Sequence, residues 1–170
     1  MKLKLLIYFF ILLLINCLAC TNLNVRHLTK RPIQINTPQE IKMRYLNFIF
    51  TARYGEKQTY IIKGNTFFKN IPMWASYIQE LWLTAYLCNE EGKVLAKELK
   101  VYQSQPIPKK GLPFSFKLKI KKTSYPINYI TFGYSFKLSP NANYKESLIS
   151  HPLSGEKDLI FYASQKAFLE

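Results

Sequence analysis

The most reactive side chains in this sequence are three cysteine thiols and two histidine imidazoles. Cys88 and His151 could form a nucleophile and its base, because a thiolate attacks carbonyl groups once a base has taken the proton. However, a cysteine that follows Tyr86 and Leu87 in an apolar segment is usually a small buried hydrophobic residue. The sequence therefore favours a packing role for Cys88.

Carboxylates and histidines are too sparse to indicate other catalytic or metal chemistry. Glu90 and Glu91 are adjacent in a predicted turn and point apart, whereas an acid–base pair must flank one bond. His27 and His151 lack the spacing of zinc ligands, and Asp158 is the single aspartate, which disfavours a calcium loop. We therefore expect a protein without catalytic activity, metal or cofactor; an enzyme with an unrecognised site is the third hypothesis.

A short apolar run opens the chain. Lys2 and Lys4 precede eleven uncharged residues, Leu5 to Ile15, and this order matches a secretory signal peptide. A membrane-spanning helix needs about 20 apolar residues, so the run is short for an anchor. The sequence therefore predicts export of the domain that follows.

Two cysteines stand at the end of this run, in the overlapping stretches LINC and CLAC. These stretches resemble the lipoprotein signals of bacterial envelope proteins, in particular the relaxed form found in spirochaetal lipoproteins, which tolerates Asn or Ser before the cysteine. The resemblance covers about the first 22 residues. It implies a diacylglyceryl group on the thiol, cleavage before that cysteine and acylation of the new amino group. LINC has the preferred leucine three residues before Cys17, which favours Cys17 as the acceptor and leaves Cys20 as the alternative.

Lipidation at either cysteine would attach the protein to a membrane. Each buried CH₂ contributes about 0.8 kcal/mol, so two or three palmitate-like chains hold a protein stably. The implied location is the cell envelope, with the outer membrane favoured. The alternative is a plain signal peptide or an uncleaved anchor with incidental cysteines. The predicted organisation is a signal peptide over 1–16 (or 1–19), a lipidated tether over 17–38, one folded domain over 39–165 and a C-terminal tail over 166–170.

The predicted tether is polar and contains Pro32 and Pro38. At about 3.3 Å per extended residue, residues 21–38 could hold the domain up to about 55 Å from the acyl chains. The stretch RPIQIN could instead pair as an edge strand.

The chain is strongly basic, with a formal net charge of +14. Removal of the signal takes away Lys2 and Lys4, leaving 22 basic and 10 acidic side chains, a charge of +12. Such a charge concerns solubility and partners rather than fold. An exported protein meets anionic lipids and anionic polymers, so no nucleic-acid partner is expected. A lysine-rich solvated surface is the simpler alternative.

Two groups of residues are candidates for binding. The first is a row of lysines that alternates along FSFKLKIKK and continues before and after it: Lys109, Lys110, Lys117, Lys119, Lys121 and Lys122. Alternate strand residues are about 6.6 Å apart on one face, so the row could bind a sulfated or phosphorylated polymer. Alternatively, it only protects an exposed edge from aggregation. The second group is Trp82 and Tyr86, which either form an aromatic patch for a protein or glycan partner or are covered by a loop such as NIPMWASY.

These groups lie on predicted β-strands. Aromatic residues make up 15% of the chain and glycine is scarce, which favours strands. FSFKLKIKK and YITFGYSFKL alternate apolar and polar residues, and ELWLTAYLC and KVLAKELKVY flank the turn NEEG as a hairpin. In IKMRYLNFIFTARY the apolar phase shifts, which indicates a bulge or a strand buried on both faces. TYIIKGNTFF suggests two short strands around a turn at Lys63–Asn65, and KDLIFYA a last strand over 157–163.

The segments together predict a mainly β fold. Seven or eight short strands with turn residues between them indicate a single antiparallel β-sandwich, with a small β-barrel as the alternative. The stretches YLCNEEGKVLAKE and LPFSFKL are loosely similar to immunoglobulin-like modules of bacterial envelope proteins. That resemblance implies the immunoglobulin-like form of the sandwich and assigns no functional residue.

Overall fold

The computed structural model describes residues 23–120, 127, 129–142 and 160–169. Regular structure in these ranges consists of β-strands, and no helix there is long and apolar enough to cross a membrane. The strands are β1 Leu23–Asn24, β2 Arg31–Pro32, β3 Pro38–Lys42, β4 Leu46–Gly55, β5 Thr59–Phe68, β6 Tyr77–Cys88, β7 Val94–Tyr102, β8 Gln105–Pro106, β9 Leu112–Lys119, β10 Tyr129–Ser139, β11 Phe161–Gln165 and β12 Phe168–Leu169.

Two antiparallel sheets pack face to face. One has the strand order β3-β4-β5-β9, and the other has the order β11-β10-β6-β7, with β2 paired to β10 and β8 to β6. From β3 onward the chain changes sheets three times, between β5 and β6, between β8 and β9, and between β9 and β10, so that β9 lies beside β5 and β10 beside β6. This crossing is typical of immunoglobulin-like sandwiches. The predicted sandwich is confirmed, and the sheets do not close into the alternative small barrel.

Aromatic side chains dominate the core between the sheets. The two alternating strand predictions are confirmed, because β9 and β10 each turn their apolar positions inward. The Phe132 ring of β10 stacks on the Phe48 ring of β4, with ring centroids 4.3 Å apart. Inward residues of β9 and β10 that are buried are Leu112, Phe114, Phe116, Leu118, Ile130, Phe132, Tyr134, Phe136 and Leu138.

The predicted hairpin forms as β6 and β7. Its turn is closed by Asn89, whose carbonyl oxygen accepts from the Gly92 amide at 3.2 Å and whose side chain accepts from the Lys93 amide at 2.8 Å. Gly92 has φ of 86°, a conformation that L side chains rarely adopt. The glycine in NEEG therefore has the role that the sequence predicted.

Two strand predictions were wrong in detail. The phase shift in IKMRYLNFIFTARY is neither a bulge nor a doubly buried strand: it is a tight turn between β3 and β4, closed by the Met43 amide and the Leu46 carbonyl at 2.9 Å. TYIIKGNTFF is one continuous strand, β5, with no turn at Gly64. A Cβ at position 64 would lie only 2.7 Å from the Phe50 Cα, so the glycine permits close approach of β4.

The segment predicted as a tether belongs to the fold from residue 23 onward. Val25 and Leu28 are buried in the core. β2 pairs with β10, in agreement with the alternative prediction that RPIQIN forms an edge strand. In addition, the Thr131 hydroxyl donates to the Thr29 carbonyl at 2.7 Å. Thr131, on the outer face of β10, is therefore buried. The folded unit begins before the predicted boundary at residue 39.

The C-terminal residues also differ from the prediction. The last long strand is β11, Phe161–Gln165, which extends two residues beyond the predicted end at Ala163. The predicted tail contains β12, which pairs with β1. The sequence did not predict β1 or β12, because a strand of two residues is too short to show periodicity.

The free edge of β9 is protected by side chains from β7. Pro113 has no amide proton to offer, and its carbonyl oxygen accepts from the Tyr102 hydroxyl at 3.2 Å. The Glu98 carboxylate accepts from the backbone amide of Lys117. Burial raises the pKa of Tyr102 to about 12. A groove of about 470 Å³ lies between the two edges.

Candidate functional site

The structure separates the residues considered for catalysis. Cys88 is buried, its Sγ lies 3.8 Å from the Tyr129 carbonyl oxygen, and burial raises the pKa of its thiol to about 11. Such a thiol is protonated at neutral pH and is a poor nucleophile. Its considered partner His151 lies outside the described residues, as do Cys17 and Cys20.

The other polar candidates have structural contacts instead. The His27 ring stacks on Phe168 and its Nε2 lies 2.9 Å from the Lys166 carbonyl oxygen. Glu90 and Glu91 are both exposed in the β6–β7 turn. Within the described ranges, no group of three or more His, Cys, Asp or Glu side chains is placed to hold a metal ion.

The predicted lysine row is divided by the structure. Lys117 and Lys119 are exposed on the outer face of β9. Lys109 and Lys110 lie in the turn before β9, near the opposite end of the strand. Lys110 stands seven positions before Lys117, at about 3.3 Å for each position of extended chain. Lys121 and Lys122 lie outside the described residues.

Strand register adds a cation from β4 to the two lysines of β9. Ile61 of β5 pairs with Arg53 on one side and with Lys117 on the other. Thr59 pairs with Gly55 on one side and with Lys119 on the other. Strands lie about 4.8 Å apart, so these two rows bring three cations around Ile61 on one outer face.

This outer face is concave at the β4–β5 turn. A cavity of about 580 Å³ opens there. Gly55 contributes to the depth, because a Cβ at that position would lie 3.0 Å from the Cδ1 of Ile61. We call this cavity the basic cleft; its lining residues are Arg53, Tyr54, Gly55, Glu56, Lys57, Thr59, Ile61, Lys117 and Lys119.

The β4–β5 turn supplies the fourth cation. Lys57 and Gln58 both have positive φ, 53° and 56°, a region that usually requires Gly or Asn in a hairpin. The amide of Ile120 donates to the Gln58 carbonyl at 3.1 Å and ties the turn to the end of β9. The turn therefore holds Lys57 at the rim of the basic cleft, close to the end of the strand that carries Lys119.

The charge of the basic cleft is unbalanced. Four cationic side chains line it, and Glu56 is the acidic residue among its lining residues. Among the described residues, none of the four cations forms an ion pair with a carboxylate; an ion pair joins Lys42 to Glu40 instead. The Glu98 carboxylate is engaged by the backbone amide of Lys117. Like charges this close repel one another, and a bound anion relieves that repulsion.

Tyr54 lines the basic cleft, but its ring lies on the core-facing side of the sheet, because Tyr54 is directly opposite the inward residue Tyr60. Tyr54 is 64% exposed, and its hydroxyl lies 2.9 Å from the hydroxyl of Tyr60. The two rings are in contact, with centroids 4.7 Å apart. Burial, together with this hydrogen bond, raises the pKa of Tyr60 well above its usual range. Tyr60 is anchored in the core and fixes the position of the exposed ring.

The two residues of the predicted aromatic patch have different environments. Trp82 is 38% exposed, and the Lys166 ammonium lies 5.6 Å from the centroid of its ring. Tyr86 is buried, and the amide of Ala167 donates to its hydroxyl at 3.5 Å. The cover is thus the C-terminal segment and not the predicted loop NIPMWASY. Gly133 makes room for the Tyr86 ring, because a Cβ there would lie 2.9 Å from it.

Sequence reasoning missed Arg53, Tyr54 and Lys57. They stand in TARYGEK, whose alternation ends in a turn, and no local pattern shows which residues of β5 and β9 will lie beside them. Only Lys117 and Lys119 could be predicted, because they alternate within a single strand.

No family model, curated protein or solved structure matches this chain. The geometry alone therefore has to support a functional assignment.

Proposed function

We propose that this protein is a lipid-anchored, non-catalytic binding module of the cell envelope that binds anionic polymers in the basic cleft. One observation carries the binding part of the proposal: Arg53, Lys57, Lys117 and Lys119, which come from two strands and a turn, line one cavity with a single glutamate. The anchor part is supported by the stretch LINCLAC.

The shape of the basic cleft suits an extended polymer. It is an open concavity on a sheet face, and its cations come from β4, from β9 and from the β4–β5 turn, with β5 between the two strands. Lys63 is exposed two residues along β5 from Ile61 and continues the positive surface. Sulfated or phosphorylated polysaccharides of the host or of the cell surface have the matching charge. Binding of this kind weakens as salt screens the charges.

Two matched charge reversals test the proposal. Lys117→Glu with Lys119→Glu alters the basic cleft, while Lys109→Glu with Lys110→Glu makes the same change in net charge near the other end of β9. All four lysines are exposed. Binding to a heparin-like resin is measured as the salt concentration for elution, and circular dichroism checks that both variants are folded.

The cleft proposal predicts earlier elution of the Lys117/Lys119 variant than of the Lys109/Lys110 variant. Equal elution of both variants would mean that net charge alone causes retention and would overturn it. Elution of the unaltered protein at or below physiological salt would have the same consequence. It would favour a structural envelope module whose lysines only keep the surface solvated.

A further inference from the structure

The described fold begins close to the predicted lipid anchor. Leu23 is paired in β1, and it stands six positions after Cys17 and three positions after Cys20. At about 3.3 Å per residue, even a fully extended chain spans only about 20 Å or about 10 Å. The long tether expected from the sequence is therefore absent, because most of its residues belong to the sandwich. A domain so anchored stays next to its membrane.

The position of β1 determines which surface lies next to that membrane. β1 pairs with β12, Asn24 bridges to Lys93, and the Val25 amide donates to the Gly92 carbonyl at 2.9 Å. The anchor thus enters the fold beside the β6–β7 turn. We call the surface formed by β1, β12 and this turn the anchor end.

The anchor end exposes apolar side chains. Phe168 and Leu169 of β12 are 62% and 68% exposed, and among the large hydrophobic residues of the described ranges they are among the four most exposed, with Met73 and Tyr54. Phe168 is held against the His27 ring, with centroids 4.0 Å apart. Leu169 is opposite Leu23. Apolar and aromatic side chains of this kind partition into the interfacial region of a bilayer.

Charges at the anchor end are mainly positive. Basic residues in the segment after β1, in the turn and in the segment before β12 outnumber the two glutamates of the turn, Glu90 and Glu91. The basic residues are Arg26, Lys30, Lys93 and Lys166. Positive charges beside an apolar surface favour anionic lipid head groups.

The basic cleft lies toward the same end of the sandwich. Arg31 pairs with Ile130 at the start of β10, and Ile35 bridges Ala52 near the end of β4. Arg31 and Ile35 are four positions apart in the chain, so these two points are at most about 14 Å apart. A polymer in the basic cleft would therefore lie near the membrane surface.

We propose that the anchor end docks on the phospholipid bilayer that holds the acyl chains, with Phe168 and Leu169 in the interfacial region. This inference rests on the anchor part of the proposed function. It makes the protein a membrane-apposed module rather than one held away from the bilayer on a flexible tether.

Tryptophan probes at the two ends of the sandwich test the docking. Phe168→Trp places a probe at the anchor end, and Met73→Trp is the matched control, since Met73 is fully exposed in the loop between β5 and β6 at the opposite end. Both variants retain Trp74 and Trp82, so the native emission is common to them. The acylated full-length protein is reconstituted into vesicles of phosphatidylcholine and phosphatidylglycerol, with and without brominated acyl chains, and labelled with a fatty-acid analogue.

The docking predicts that the emission added by Phe168→Trp is largely lost in brominated vesicles, while that added by Met73→Trp is retained. Equal loss from both probes in labelled, vesicle-bound protein would overturn the docking and leave the anchor standing. A chain that takes no label and stays in solution would overturn the anchor and with it the docking. Thermal unfolding of both variants, measured in the same vesicles, checks that β12 still pairs.

Discussion

Phe116 and Lys117 are neighbours in the sequence and lie on opposite faces of β9. The Phe116 side chain is fully buried among the aromatic rings of the core, whereas Lys117 is exposed at the basic cleft. Phe116→Ala would leave a cavity and is expected to lower the free energy of unfolding by about 3–5 kcal/mol. Urea denaturation measures the loss.

The control for this prediction is Lys117→Glu. An exposed charge usually changes stability by less than about 0.5 kcal/mol, so this variant should unfold near the unaltered protein. Comparable destabilisation by both substitutions would mean that the register of β9 is wrong.

The buried thiol of Cys88 makes stability depend on pH. Burial raises its pKa to about 11, while an unfolded thiol titrates near pH 8.5. The protonated thiol therefore favours the folded state fully below about pH 8.5, and this contribution is lost as pH rises toward 11, by at most about 1.4 kcal/mol per pH unit. Unfolding of the unaltered protein and of Cys88→Ala, compared at pH 7 and pH 10 under reducing conditions, should show a smaller difference at the higher pH. An unchanged difference would contradict the assigned burial.

Residue-scale features were predictable where they depend on one strand. A period of two fixed the inward side of β9 and the outward side of Lys117 and Lys119. The basic cleft was not predictable, because it needs the register of three strands. Arg53 and Lys117 lie on either side of Ile61, and this relation depends on how β4 and β9 each pair with β5.

At the scale of elements, β5 shows how a glycine can mislead a sequence prediction. Gly64 suggested a turn, since glycine commonly breaks strands. In the structure it is where β4 and β5 come too close for any side chain, with the Ile49 carbonyl oxygen and the Phe50 backbone in the way. A turn and the close approach of two strands both require glycine. The two cases can be distinguished only when the position of the partner strand is known.

Gly64→Ala separates these two readings of the sequence. In a continuous strand the added methyl group must push β4 away, and overpacking of this kind costs about 1–3 kcal/mol or more. Lys63→Ala is the control, because Lys63 is the exposed neighbour of Gly64. Chemical denaturation of both variants should show a clear loss for Gly64→Ala only. Equal stability of Gly64→Ala and Lys63→Ala would contradict the close approach of β4 and favour the turn that the sequence predicted at Lys63–Asn65.

At the scale of the whole molecule, the sandwich was predictable and its N-terminal attachment was not. The long strands carry periodic patterns, and the hairpin β6–β7 carries turn residues. β1, β2 and β12 are two residues long and pair with strands far away in the sequence. Their pairing is decided by tertiary contacts, and the prolines around β2 made the segment resemble a linker.

Leu28 decides between a tether and an integral part of the fold. It is buried in the core, and its amide donates to the Val25 carbonyl at 2.9 Å. Leu28→Ala is therefore expected to destabilise the protein by about 2–5 kcal/mol, the usual range for a buried leucine. Gln34→Ala is the control, because Gln34 is exposed in the same segment. Thermal and urea unfolding should show the loss for Leu28→Ala alone. If the segment were a flexible tether, both variants would be as stable as the unaltered protein. The domain could then lie far from the membrane, and this result would contradict the proposed membrane docking.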